Sequence, residues 1–296
     1  MAGIRDALGK VSLGLLAQAL RESGRERFTG ELRVLGAPGG VFHLNDGLVV
    51  AVESPGAPGP EALLLRTDRV DGEQWAALMG ESGGSRWPAA GLVARGLAGA
   101  AELRVLCVMA LQDAVFAIAA GWVDGYERAP AAGPPPAAVT VGESPLRLLQ
   151  EAQRKLAALD ALPRPTRPDR ERPVPATRPL GRLGALQEEL LLHADGRRTA
   201  RDLAFRLGRG VYTITVEIAR MLGEGHLVCS DRPVPIPVRV PAGDVAVRHR
   251  RPLPPPPVTV VRRPWPKSAP PEPIPHAALP RRVPGTSGIT EALSPR

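Results

Sequence analysis

The side chains that chemistry would need are present in this sequence but scattered. Five histidines, His43, His193, His226, His249 and His276, show no metal-ligand spacing such as HExxH. No GxxxxGK[ST] phosphate loop occurs, and the glycine clusters read as turns rather than strand-to-helix junctions. Asp46 and Glu53 could be paired on paper as acid and base, but turn chemistry accounts for Asp46. Cys107 and Cys229 have no CxxC partner and read as buried, reduced thiols. His43 falls in a strand-like run, as a core or surface residue rather than a ligand. These residues point away from an enzyme and imply no catalytic residue, cofactor or metal.

The elements that would position them begin with Phe28–Leu65. Short apolar runs at Glu31–Leu35, Val41–Leu44 and Leu48–Val52 are separated by Ala37-Pro38-Gly39-Gly40 and by Asn45-Asp46-Gly47. Asp-Gly between β-prone runs predicts a hairpin, because Gly supplies positive φ and Asn or Asp tolerates it. A three-strand meander follows, then a helix from Pro60. Leu13, Leu16, Ala17 and Leu20 form a helical stripe within Val11–Arg21 that should cover one sheet face. Asp71 can cap a helix through Trp75, Leu78 and Met79, and Pro88–Gly96 reads as another short helix. Ala100–Ala120 is apolar nearly all round and needs cover on several sides, which suits the core helix of the first domain. Trp122–Arg128 reads as a final strand.

Phe28-Thr29-Gly30-Glu31-Leu32 with Val41-Phe42-His43-Leu44-Asn45-Asp46-Gly47-Leu48-Val49-Val50-Ala51 resembles the PATAN domain, the N-terminal module of PatA-like bacterial response regulators. The resemblance extends more weakly over Ile4–Glu127. It implies a non-enzymatic sensory or adaptor domain over 1–128 that makes contacts with a regulatory protein.

Downstream, proline marks the boundaries. Ala129–Ala138 opens a linker over 129–142. Ser144-Pro145 then starts an amphipathic helix, within 143–162, with Leu146, Leu149, Leu156 and Leu159 on its stripe. That stripe must pack on a domain or form a homodimer through residues 145–161. A Pro/Arg-rich linker, 163–178, should be extended and mobile.

Residues 179–236 read as three helices and a strand: Leu183–His193, a short helix opened by Thr199 with Asp202, Val211–Glu224, and His226–Cys229. This order resembles the winged-helix domains of bacterial transcription regulators, in Asp195-Gly196, Thr199–Leu203, Val211–Leu222 and Gly225–Val228. The resemblance implies that the third helix enters the DNA major groove. Tyr212, Thr213, Val216, Glu217 and Arg220 would face outward, preceded by Arg206 and Arg209, with Arg197, Arg198 and Arg201 around the second helix. Asp231-Arg232-Pro233 follows the strand, and Pro235 and Pro237 resist a return strand for the wing.

Charge bears on that reading. The formal net charge is +8, yet residues 1–130 carry 12 Lys and Arg against 15 Asp and Glu, while 237–296 carry ten against three. The basic character lies in linker and tail, which weakens any inference from net charge to a basic DNA-binding face. The tail, 237–296, repeats paired Arg beside Pro and reads as disordered; Thr286–Leu293 could serve as a terminal recognition peptide for a protein partner. No stretch reaches about 18 uncharged apolar residues, and Arg5, Asp6 and Lys10 interrupt a signal-peptide pattern, so no membrane is expected and the location expected is cytoplasmic.

The sequence therefore predicts an α+β chain: an N-terminal β-meander with helices, a C-terminal winged helix-turn-helix and a Pro-rich tail. The two resemblances imply a bacterial transcriptional regulator that binds DNA, or a signalling scaffold whose two domains bind proteins only.

Overall fold

The structure is a computed structural model that describes residues 2–66, 69–83, 87–135, 137, 142–177 and 182–229. It is α+β, with nine helices and six strands among the described residues. One compact unit spans Met1–Pro237. The tail expected over 237–296, its terminal peptide included, lies outside the described residues.

Helix α1 (Ala2–Arg25) is longer than its apolar stripe required, and buries Leu16, Ala19 and Leu20 completely. Strands β1 (Gly30–Ala37), β2 (Gly40–Asn45) and β3 (Leu48–Glu53) form the expected antiparallel meander. Asn45 pairs with Leu48, so the β2–β3 loop is the two residues Asp46-Gly47, with φ of 51° and 77°. Both lie in the left-handed region that a type I′ turn demands. Leu32, Val34, Phe42, Leu44 and Val49 face the core, while Glu31, Arg33 and His43 lie on the opposite face.

Three short helices follow: α2 (Pro60–Leu65), α3 (Gly72–Glu81) and α4 (Ala89–Ala94). Asp71 caps α3 in a reciprocal box with Gln74. Helix α5 (Ala100–Ala120) then crosses the sheet and leads into β4 (Trp122–Ala129), which pairs with β1 to complete the order β3-β2-β1-β4. Its all-round apolarity has a plain cause, because α5 contributes to three cores. Cys107, Leu111, Val115 and Ile118 join the sheet core, Leu103 joins the core beneath α3 and α4, and Ala114, Phe116 and Ala117 join a third core with the C-terminal helices. By length and composition it could cross a membrane, unlike the expectation from sequence, but 56% of its most apolar window is buried within this fold.

Helix α6 (Pro145–Asp160) buries Leu148, Leu149 and Ala152 in the sheet core and Leu159 in the third core. Of the expected stripe, Leu149 and Leu159 are buried inside the chain and Leu156 is half-buried, while Leu146 is exposed. The C-terminal part comprises β5 (Pro173–Pro175), α7 (Ala185–His193), α8 (Ala200–Leu207), α9 (Val211–Gly223) and β6 (Leu227–Cys229).

Both segments expected as linkers are tied into the unit. Ala132 donates its amide to Glu31, and Glu143 exchanges backbone hydrogen bonds with Val49, pinning 129–142 near each end to the sheet. Within 163–178, β5 pairs antiparallel with β6, Pro168 accepts from the Arg201 amide and Pro173 from the Gly196 amide. Proline composition signals a linker, but proline costs nothing in a strand where its carbonyl is the group in use. The strand β6 therefore takes its partner from upstream. Cys107 is buried as expected, whereas Cys229 is exposed at the end of β6.

Candidate functional site

The strongest concentration of polar geometry lies where α2, α5 and α6 meet α7, α8 and α9. Its centre is Asp113, a carboxylate only 7% exposed in the middle of α5. Its Oδ2 accepts from the Val211 amide at 2.6 Å and its Oδ1 from the Tyr212 amide at 3.0 Å. These are the first two amides of α9, which have no partner within their own helix. A carboxylate from another helix thus performs the task of an N-cap, and the positive end of the helix dipole favours its charge. Burial nevertheless dominates and raises the Asp113 pKa above its ordinary 3.8, against the opposing pull of both amides and the Lys155 charge.

Packing surrounds this bond pair. The rings of Phe116 and Tyr212 meet edge to face at 5.2 Å between centroids, and the Lys155 ammonium stands 5.2 Å over the Tyr212 ring. Glu189 of α7 is held by two arginines, Arg66 at 2.6 Å from the α2 side and Arg209 at 3.2 Å from the α8–α9 turn. Gly208 ends α8 with φ of 57°, and a Cβ there would stand 2.7 Å from the Ala62 carbonyl oxygen. The close approach of α2 to this turn therefore requires glycine.

The residues expected to touch DNA divide among different environments. Arg209 and Tyr212 are used at this junction. Arg198 pairs with Asp195 at 2.8 Å and also donates to the His193 carbonyl. Arg206 is exposed and reaches His193 Nδ1 at 3.1 Å. Arg201 is half-buried beside Pro168, and Arg197 is exposed with its carbonyl bound by Arg172. Thr213 and Arg220 alone of the eight lie exposed on α9, Arg220 at 3.7 Å from Glu217, which also accepts from Gln187.

Sequence reading missed Asp113, Glu189, Arg66, Phe116 and Lys155 as a group. The one available signal was Asp113 itself, a carboxylate in a helix otherwise apolar around it.

Elsewhere the imagined carboxylate pair is taken apart: Asp46 binds Arg27, and Glu53 binds His43 at 2.9 Å. Gly80-Glu81-Ser82-Gly83-Gly84 spells G-x-S-x-G. Ser82 sits at the C-terminal end of α3 and donates to the Met79 carbonyl, whereas a nucleophile elbow joins a strand to a helix. Among the described residues no group of three or more His, Cys, Asp and Glu side chains is placed to hold a metal. Comparison with protein-family models, curated proteins and solved structures finds no match to this chain.

Proposed function

We propose that the protein is a non-enzymatic signalling scaffold, in which a PATAN-like sheet part and a winged-helix-like C-terminal part are joined and bind proteins rather than DNA. One observation carries the choice over a DNA-binding regulator: the Asp113 carboxylate occupies the amide end of α9. A groove-reading helix presents its N-terminal residues to the bases and its first amides to phosphate. Here those amides are spent on a buried anion, and Tyr212 is packed on Phe116. The exposed side of α9 offers Thr213 and Arg220 beside Glu217, too little positive charge to fix a duplex by its phosphates.

The test is a titration of the full chain with labelled duplex pools at rising salt, using wild type and a Thr213→Ala/Arg220→Ala double variant. The scaffold reading expects only sequence-independent binding, lost as salt rises and equal in the two proteins. Selection of particular sequences by wild type, abolished in the double variant, would restore the transcription-regulator reading.

A further inference from the structure

A second feature of α5 lies away from the junction. Its first half and α4 form the walls of an open groove of about 580 Å³, lined among others by Trp87, Val93, Ala94, Leu103, Arg104 and Cys107. This size falls within the roughly 300–1,000 Å³ of small-molecule sites. The base is firm, because Leu103 and Cys107 are buried and Trp87 packs against Trp75 with ring centroids 5.7 Å apart. Val93, by contrast, stands 43% exposed at the rim. Cys107 belongs to the apolar lining rather than to any reaction: burial pushes its thiol up to about 11, so it stays protonated.

Charge around the groove is uneven. Glu102 is taken by Arg69 at 2.8 Å, and Glu81 by Arg95 at 2.6 Å. Arg104 is exposed on the lining itself and, among the described residues, has no carboxylate partner. An apolar trough with, among the described residues, an uncompensated guanidinium on its lining is complementary to a molecule with an apolar body and an anionic head.

We propose that the α4–α5 groove binds an aliphatic monocarboxylate, with the chain against Trp87, Val93 and Leu103 and the carboxylate on Arg104. The site is separate from the Asp113 junction and does not depend on the scaffold reading. A ligand there bridges α4 and α5.

The probe is decanoate, kept below its micellar concentration and titrated calorimetrically into the full chain, with decyltrimethylammonium as the control of opposite charge. Arg104→Gln should weaken decanoate binding about tenfold, the usual loss for one charge-assisted contact. Val93→Asp, at an exposed rim position, should abolish binding while the melting curve stays unchanged. Decyltrimethylammonium should bind wild type no better than it binds Arg104→Gln. Equal decanoate affinity in all three proteins, or no binding to any, would overturn the assignment. So would self-association of wild type that Val93→Asp removes without decanoate binding, since a second copy would then occupy the groove.

Discussion

Two aspartates hold two very different corners of this molecule. Asp46 forms the exposed tip of the β2–β3 hairpin, where its side chain pairs with Arg27 in open solvent. Asp113 is buried in α5 and binds the first amides of a helix that begins 98 residues later. The first is needed for its backbone, which must take positive φ; its ion pair is exposed and contributes little. The second is needed for its side chain, which satisfies two amides in a largely buried place. Backbone roles are local and side-chain roles at a junction are not, and the substitutions that separate them are correspondingly different.

The largest effect is expected at the hairpin. Asp46→Pro places a residue fixed near φ −65° where the chain needs 51°, and should cost about 3 kcal/mol or more, seen as loss of the cooperative thermal melt. Asp46→Asn, which keeps the backbone preference and drops the charge, should melt within about 0.5 kcal/mol of wild type. If both variants unfold the protein equally, the side chain matters as much as the turn and the contrast between the two aspartates fails.

At the junction the order of variants reverses, because the side chain is the point. Asp113→Ala leaves the Val211 and Tyr212 amides without acceptors and should cost about 2–3 kcal/mol in a denaturant melt. Asp113→Asn keeps one acceptor and should cost about half as much. Gly208→Ala is expected between them, since a Cβ meets the Ala62 carbonyl and the φ of 57° disfavours any side chain.

This contrast also explains what could be read from the sequence. The meander, the caps at Asp71 and Thr199, and the bounds of α5 and α9 were legible, because turn glycines, N-cap residues and apolar periodicity act within a few positions. The antiparallel sheet was legible for the same reason. The docking of α9 on α5 was not, since nothing near Val211 announces a carboxylate from a distant helix. The pairing of β5 with β6 was hidden by its prolines, which suggest an untethered linker. The eight residues named for DNA contact came from the winged-helix resemblance, with helical phase used for the three on α9. Phase fixes which side chains point outward from α9, but not that Tyr212 would meet Phe116 there.

A smaller effect distinguishes the two kinds of carboxylate by pH. Asp113 is raised above its ordinary 3.8 chiefly by burial, so its stabilising contribution is present below that value and lost as pH rises through the raised one. Wild type should therefore gain stability relative to Asp113→Asn as pH falls from neutrality towards 4. Glu31 runs the other way: Arg33 foremost, with the Ala132 amide, holds it below its ordinary 4.5. Its contribution is present above 4.5 and lost as pH falls through the lowered value, so wild type should lose its advantage over Glu31→Gln on acidification. Paired melts across pH 3 to 7 read both signs, about the scale on which carboxylates titrate. The smallest effect is Glu61→Gln, an exposed position in the first turn of α2, expected within about 0.5 kcal/mol of wild type.

The account rests most heavily on α9 being held at its amide end, and hydrogen exchange reads that contact directly. The first amides of an uncapped helix exchange almost as fast as those of an unfolded chain, because no carbonyl protects them. The account predicts that the Val211 and Tyr212 amides of wild type exchange as slowly as the central amides of α5, and that Asp113→Ala releases both. Exchange of these two amides at free-chain rates in wild type would contradict it.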